Sequence, residues 1–187
     1  NTIRSTTNPA NGGTAWSAQT IVGNSWQAIL GLFPKSGALY IRKEDMPYYL
    51  NSSGNVQNDL APELQNIATK AGDKNVSIWL GKIYFPAGPT LLEEDDGTLT
   101  WRSPARSCSN LSEFDGDVQG TAYDEEWLFV AVDNATKIEI LAGRLETMEG
   151  STSWVWHPIS EITLTGCETM FVSTIYQRRL WIASTSS

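Results

Sequence analysis

One short hydrophobic segment occurs four times along the chain. Each copy consists of an aliphatic residue, an aromatic residue and a second apolar residue, and polar turn residues stand just before it. The four copies, called the triplets below, are Leu39–Ile41, Ile83–Phe85, Leu128–Val130 and Leu180–Ile182. Such residues favour strands, and the aromatic positions are 44, 45 and 52 residues apart. The pattern therefore predicts a repeated unit built of β-strands.

A strand repeat of this length is typical of the blades of a β-propeller, so we expect an all-β fold of four-stranded antiparallel blades in one propeller domain. The predicted units are about 1–45, 46–88, 89–134 and 135–187. A second landmark, Gly-x-x-x-Trp, is expected to open three of them. It occurs at Gly12–Trp16, Gly97–Trp101 and Gly150–Trp154.

The remaining strands of each unit follow from runs of β-forming residues bounded by turn residues. Apolar strands are predicted before two of the triplets, at Ile29–Phe33 and Met170–Thr174. Outer strands are predicted after three of the triplets, at Tyr48–Leu50, Thr90–Leu92 and Lys137–Leu141. A short helix is predicted only at Pro62–Lys70.

The fourth unit lacks an outer strand after its triplet. Either Asn1–Thr7 supplies that strand and closes a four-bladed ring, or the chain is part of a longer propeller. We favour the second alternative because Asn1–Thr7 is polar and resembles a loop.

Charge narrows the possible partners. The 187 residues include 13 Lys and Arg against 21 Asp and Glu, which gives a formal net charge of −8. Because nucleic-acid binding needs clustered cations, no nucleic-acid partner is expected. No apolar run approaches the roughly 18 residues that predict a spanning helix, so no membrane insertion is expected. For Cys108 and Cys167, two buried thiols are favoured over a disulfide bridge.

Few residues suggest a catalytic or metal-binding role, and we expect no catalytic residues and no cofactor. His157 is the sole histidine, and no partner motif accompanies it, so a structural role is favoured. Three acidic clusters are predicted to be solvated turns: Glu93–Asp96, Glu113–Asp117 and Asp124–Glu126. Within the second, Asp115 and Asp117 form a weak calcium candidate without the spacing of an EF-hand loop.

Aromatic side chains outside the repeated landmarks are the candidate ligand-binding residues. They are Trp26, Trp79, Trp156 and Tyr176. An exposed aromatic ring can stack on the apolar face of a sugar. The alternative, that most of these rings pack between blades, is favoured for the set as a whole.

The sequence of several segments in the second half of the chain resembles that of propeller proteins encoded by tailed phages and viral metagenomes. They are Trp127–Asn134, Ile140–Arg144, Trp154–Pro158 and Arg179–Ile182. This resemblance covers about half of the chain and lies in strand-packing motifs. It implies a virion-associated tail or fibre component whose chain typically continues past the last strand seen here.

Three functions follow from these observations. We expect a non-enzymatic, virion-associated structural or attachment protein, located in the virion or outside the cell. Its partners would be other tail proteins or a host-surface glycan. A secreted glycan-binding propeller lectin is the alternative, and a polysaccharide-degrading enzyme with two opposed carboxylates is less favoured.

Overall fold

The structure is a computed structural model whose described residues form β-strands and loops. They are residues 2–6, 16–23, 25–43, 47–51, 53–57, 76–95, 98–102, 114–163, 169–173 and 179–183. All sixteen elements within these ranges are strands, so the prediction of an all-β chain is confirmed for this part. The chain divides into two compact units, Asn1–Asn66 and Ile67–Ser187, which are described separately.

The described residues of the first unit form two small antiparallel sheets. One is the pair β1–β2, and the other, sheet I, has the order β3-β4-β5-β6. The bounds are β1 Thr2–Ile3, β2 Thr20–Ile21, β3 Ile29–Lys35, β4 Ala38–Lys43, β5 Pro47–Leu50 and β6 Val56–Gln57. The N-terminal strand thus pairs with Thr20–Ile21.

In the second unit, the residues that the structure describes form three antiparallel sheets. Sheet II has the order β7-β8-β9-β10, sheet III the order β11-β12-β13-β14, and sheet IV consists of β15 and β16. The bounds are β7 Ser77–Trp79, β8 Lys82–Ala87, β9 Thr90–Asp95, β10 Thr98–Arg102, β11 Asp117–Tyr123, β12 Leu128–Asp133, β13 Ile138–Met148, β14 Ser151–Ile162, β15 Thr169–Ser173 and β16 Arg179–Ala183.

Each triplet lies in the second strand of its sheet. The strands concerned are β4, β8, β12 and β16. The apolar segments predicted before two of the triplets are the first strands β3 and β15, and the predicted outer strands are the third strands β5, β9 and β13. The structure therefore confirms the predicted strands on both sides of the triplet in sheet I, after the triplet in sheets II and III, and before the triplet in sheet IV.

The predicted grouping of strands into units is wrong for the strand that contains the landmark tryptophan. Trp101 lies in β10 and Trp154 in β14, and both strands end a sheet instead of opening one. The sheets are consequently shifted by one strand relative to the predicted units, because a sequence period does not indicate where a unit starts. The predicted helix at Pro62–Lys70 and residues 12–15 of the first Gly-x-x-x-Trp landmark lie outside the described residues. Whether the chain forms one propeller domain stays a prediction.

Sheet III is covered on both faces. Successive side chains of a strand point to opposite faces of the sheet, and the strands of sheet III carry apolar side chains on both. One face packs against Trp79, Tyr84 and Leu91 of sheet II. This face carries Val118, Leu128, Val130, Val132, Leu141, Trp154 and Trp156, and Phe114, which precedes β11, packs in the same cluster. The other face carries Ala122, Ala131, Ile138 and Ile140, and Phe129, Ile162, Leu180 and Ile182 pack against these. Sheets II, III and IV are therefore stacked face to face.

The side chains of the triplets in sheets II, III and IV have the same orientation relative to the neighbouring sheets. The aromatic residue faces the following sheet, as Tyr84 does, while the flanking residues face the preceding one, as Leu180 and Ile182 do. Tyr84 is 1% exposed and Phe129 is partly buried. Trp181, by contrast, is 43% exposed. Its ring lies on the side of β16 that faces away from sheet III.

A buried hydrogen bond joins the first strands of sheets II and III. The Ser77 hydroxyl donates to Thr121 Oγ1 over 2.7 Å, and both residues are 3% exposed. We expect Ser77→Ala and Thr121→Val each to lower the free energy of unfolding by about 1–2 kcal/mol, because each removes this buried hydrogen bond. In a urea-denaturation cycle the double variant should lose less stability than the sum of the two single variants, and strict additivity would contradict the hydrogen bond between the two hydroxyls.

Candidate functional site

Two of the four candidate ligand-binding aromatics are core residues. Trp79 is 4% exposed and Trp156 is 2% exposed. The Trp79 indole N–H also donates to the Asp124 carbonyl oxygen over 2.7 Å, which ties sheet II to sheet III. Trp26 is 91% exposed, and Tyr176 lies outside the described residues. Of the described candidates, only Trp26 offers its ring to a ligand arriving from solvent.

The position of Trp156 follows from the strand register. Trp156 is paired with Gly143 across β13 and β14, and its ring lies so close to Gly143 that a Cβ atom there would collide with it. The ring meets Phe114 edge-on at a centroid distance of 5.3 Å and stacks on Trp154 at 5.3 Å. Trp156 is therefore a packing residue between sheets.

One acidic cluster is not a solvated turn. Glu93 and Glu94 lie in β9 and are 2% and 0% exposed. Lys82 on the neighbouring strand reaches Glu93 Oε1 at 2.8 Å and Asp95 Oδ2 at 3.1 Å. The hydrogen bond to Glu93 raises the pKa of Lys82 above its ordinary value of 10.5, although desolvation acts against it. The sequence suggested a turn because four acidic residues in a row are usually solvated.

The weak calcium candidate lies beside an open depression of about 360 Å³ on the second unit. Asp115 and Asp117 line it together with Asp133. Both oxygens of Asp133 already accept hydrogen bonds, from Gln119 Nε2 at 3.0 Å and from the Ala135 N–H at 2.8 Å. Among the described residues, no group of three or more His, Cys, Asp or Glu side chains is placed to hold a metal ion.

A different cluster brings four chemically distinct side chains together on sheet III. We call it the Arg144 cluster: Trp127, Arg144, Glu146 and His157. A tight turn positions the first of them, because Asp124 Oδ1 accepts the backbone N–H groups of Glu126 and Trp127 over 2.9 and 2.7 Å. The pairing of Leu128 with Gly143 then places Trp127 beside Arg144 on the next strand.

The members of the Arg144 cluster contact one another directly. The guanidinium carbon of Arg144 lies 4.3 Å from the centre of the Trp127 ring, and Arg144 Nε donates to Glu146 Oε1 over 2.7 Å. His157 meets Trp127 edge-on at 5.7 Å, and its Nε2 atom is 3.5 Å from Glu146 Oε1. A cation on an aromatic face, fixed by a carboxylate, is a stable arrangement at a surface.

The electrostatics of the cluster centre on Glu146. The hydrogen bond from Arg144 holds the pKa of Glu146 below its ordinary value of 4.5. Desolvation acts to raise this pKa, and the contact with His157 lowers it further. Glu146 is therefore ionised at neutral pH. The cluster presents charged and hydrogen-bonding groups at the surface, and the Arg144 guanidinium lies over the Trp127 ring.

Titration provides a test of this geometry. We expect the Glu146 carboxyl, followed by carbon-13 NMR, to titrate below pH 4.5, and Arg144→Gln to return its pKa towards the ordinary value. Since a lowered carboxyl pKa stabilises the fold above the unfolded value, this contribution should be lost as the pH falls through the folded pKa. An unchanged pKa in Arg144→Gln would contradict the contact.

Sequence reasoning singled out His157 but missed the other three members of the cluster. A structural role was predicted for His157, and its ring meets Trp127 edge-on. Arg144 and Glu146 stand two residues apart on one strand, so they share a face, and this spacing was the available signal. The contribution of Trp127 depends on the pairing of β12 with β13, which the repeat alone does not provide.

No helix long and apolar enough to cross a membrane occurs in the part of the chain that the structure describes. Comparison with protein-family models gives no match to this chain. A search of curated proteins likewise finds no matching relative.

Proposed function

We propose that this chain is a non-enzymatic structural or attachment module of a tailed-phage virion, built as a β-propeller or a part of one. The observation that carries the proposal is the repetition of one antiparallel meander whose triplet always lies in the second strand. Repeated four-stranded meanders are the blades of propellers.

The packing of sheet III supports the propeller part of this proposal. A blade inside a propeller is buried on both faces by its neighbours. Sheet III is apolar on both faces and lies between sheets II and IV. The backbone N–H of Val118 also donates to the carbonyl of Gly88 over 2.7 Å, which joins the start of sheet III to a turn of sheet II.

The role in attachment rests on surface chemistry and on the resemblance to phage propeller proteins. The net charge of −8 disfavours anionic partners. The Arg144 cluster and the exposed Trp26 provide places where loops and strand ends can contact other tail proteins or a host surface. The partners proposed are therefore virion proteins or surface glycans, and the location is the virion.

Mass spectrometry of gradient-purified particles tests this function. We expect peptides of this chain in intact particles of the phage that encodes it, at a constant ratio to the major tail proteins across the particle peak. The unfractionated lysate serves as the control for abundance. Absence from the particle peak, with presence in the lysate, would contradict the proposal.

Glycan binding is the second candidate, favoured by the 91% exposure of Trp26. A tryptophan ring presented to solvent can stack on a sugar. On a glycan array we expect Trp26→Ala to lose the signals of the unmodified chain, and Trp16→Ala, which removes another exposed ring, to keep them. No signal above background for the unmodified chain would rule against this candidate.

A further inference from the structure

Two neighbouring positions at one end of the sheets carry different side chains in sheets I, II and III. The first position is the residue before the triplet, and the second is the residue that the register places opposite it on the third strand. Each pair comes directly after a paired step of the ladder, such as Leu39 with Leu50 in sheet I. The pairs are Ala38 and Asn51 in sheet I, Lys82 and Asp95 in sheet II, and Trp127 and Arg144 in sheet III.

In sheets II and III the two side chains meet and fill the space between them. Lys82 Nζ lies 3.1 Å from Asp95 Oδ2, and the Arg144 guanidinium carbon lies 4.3 Å from the centre of the Trp127 ring. In sheet I the first side chain is only the methyl group of an alanine. An open depression of about 580 Å³ lies there, between the β3–β4 turn and the β5–β6 turn.

Asn51, which lines this depression, is held in place by its own turn. Its Oδ1 atom accepts the backbone N–H groups of Ser53 and Asn55, each over 3.0 Å. Because the oxygen of the amide is engaged in this way, Nδ2 is the donor that Asn51 can offer to a ligand. This donor is therefore positioned before a ligand arrives, which lowers the entropic cost of binding.

The rest of the lining combines apolar side chains with one cation. Pro34, Leu39 and Leu50 provide the apolar part, and Lys35 provides the charge. No Asp or Glu is among the nine described residues that line the depression. Sites for small molecules commonly have this composition, a mainly apolar surface with a few polar groups, at volumes of about 300–1,000 Å³.

We propose that this depression binds a hexuronic acid, a sugar that carries one carboxylate. The Lys35 ammonium pairs with the carboxylate and Asn51 Nδ2 donates to a ring hydroxyl, while the C–H face of the ring covers Pro34 and Leu50. The net charge of −8 acts against an anion at long range, but salt screens that repulsion more than it screens a direct ion pair. The inference rests on the glycan-binding candidate and names its ligand class, and it does not depend on a location in the virion.

Amide NMR spectra of the nitrogen-15-labelled chain, recorded during titration with D-glucuronate, test the proposal. We expect the amide signals of the lining residues to shift with a dissociation constant of about 1 mM or weaker, because an open site makes few contacts. D-Glucose, which has a hydroxymethyl group in place of the carboxylate, should bind about fivefold more weakly, the factor that an exposed ion pair contributes.

Sodium acetate at the same concentrations is the control for the carboxylate alone. Equal shifts of the lining signals with acetate, or no shifts of them with glucuronate, would overturn the proposal. Glucuronate-dependent shifts confined to the Arg144 cluster or to Trp26 would overturn this site while supporting the glycan-binding candidate.

Two variants and a matched control locate the ligand. Lys35→Gln should raise the dissociation constant of glucuronate by about fivefold and leave that of glucose unchanged. Lys137→Gln makes the same substitution at a partly buried lysine that pairs with Glu161, and it should change neither constant. Ala38→Trp places a ring at the position that Trp127 occupies in sheet III, so it should abolish binding, and the dispersion of its amide spectrum shows whether the chain is folded. Equal effects of Lys35→Gln and Lys137→Gln, or unchanged binding in a folded Ala38→Trp chain, would contradict the proposed site.

Discussion

Replacing Trp156 by Ala should lower the free energy of unfolding by about 3–5 kcal/mol. The ring is 2% exposed and packs on Gly143, Phe114 and Trp154. Its removal leaves a large cavity between sheets, and cavities of that size cost this amount in packed cores. Urea denaturation monitored by far-ultraviolet circular dichroism measures the change.

Trp26→Ala is the matched control for Trp156→Ala, because both residues were candidate ligand-binding tryptophans. With Trp26 at 91% exposure, its loss should change stability by no more than about 0.5 kcal/mol. Equal losses for the two variants would contradict the assignment of Trp156 to the core. A larger loss for Trp26→Ala would require that ring to be covered in solution.

Replacing Gly116 by Ala should destabilise the second unit by about 2–4 kcal/mol. Gly116 has a φ of +137°, a conformation that side chains rarely adopt. A Cβ atom would also collide with the backbone of Asp133 and Asn134, which cannot move aside as a flexible side chain could. This explains why Gly stands between Asp115 and Asp117 without invoking a metal ion.

The control for Gly116→Ala is Gly150→Ala. Gly150 also has a positive φ, +83°, but a Cβ atom there would meet nothing within 4 Å. Its cost should be about 1 kcal/mol, from the backbone conformation alone. If thermal or urea denaturation gave the same loss for both variants, the close approach of Gly116 to the Asp133–Asn134 turn would be wrong.

The strands could be predicted because their signals are local. The triplets combine strand-forming residues with adjacent turn residues, and Leu128–Val130 lies in β12 as the pattern predicts. The phase of the repeat could not be predicted, because Gly150–Trp154 looks the same whether it opens or closes a sheet. Only its pairing with β13 decides between the two.

The surface chemistry was harder to predict because it depends on contacts between distant strands. Trp26 and Trp156 have the same side chain, and only the neighbouring sheet distinguishes an exposed ring from a buried one. Glu94 lies in an acidic run yet is fully buried in β9. The contact of Arg144 with Trp127 requires the register of β12 on β13, which no short motif encodes.

The most direct test of the proposed propeller is a crystal structure of the chain that resolves all four triplet strands. The rotation that superposes Ile83–Phe85 on Leu128–Val130 should also superpose Leu128–Val130 on Leu180–Ile182, with Tyr84, Phe129 and Trp181 at equivalent positions. One repeated rotation about a common axis is the result that a propeller predicts. Two rotations about unrelated axes would contradict it.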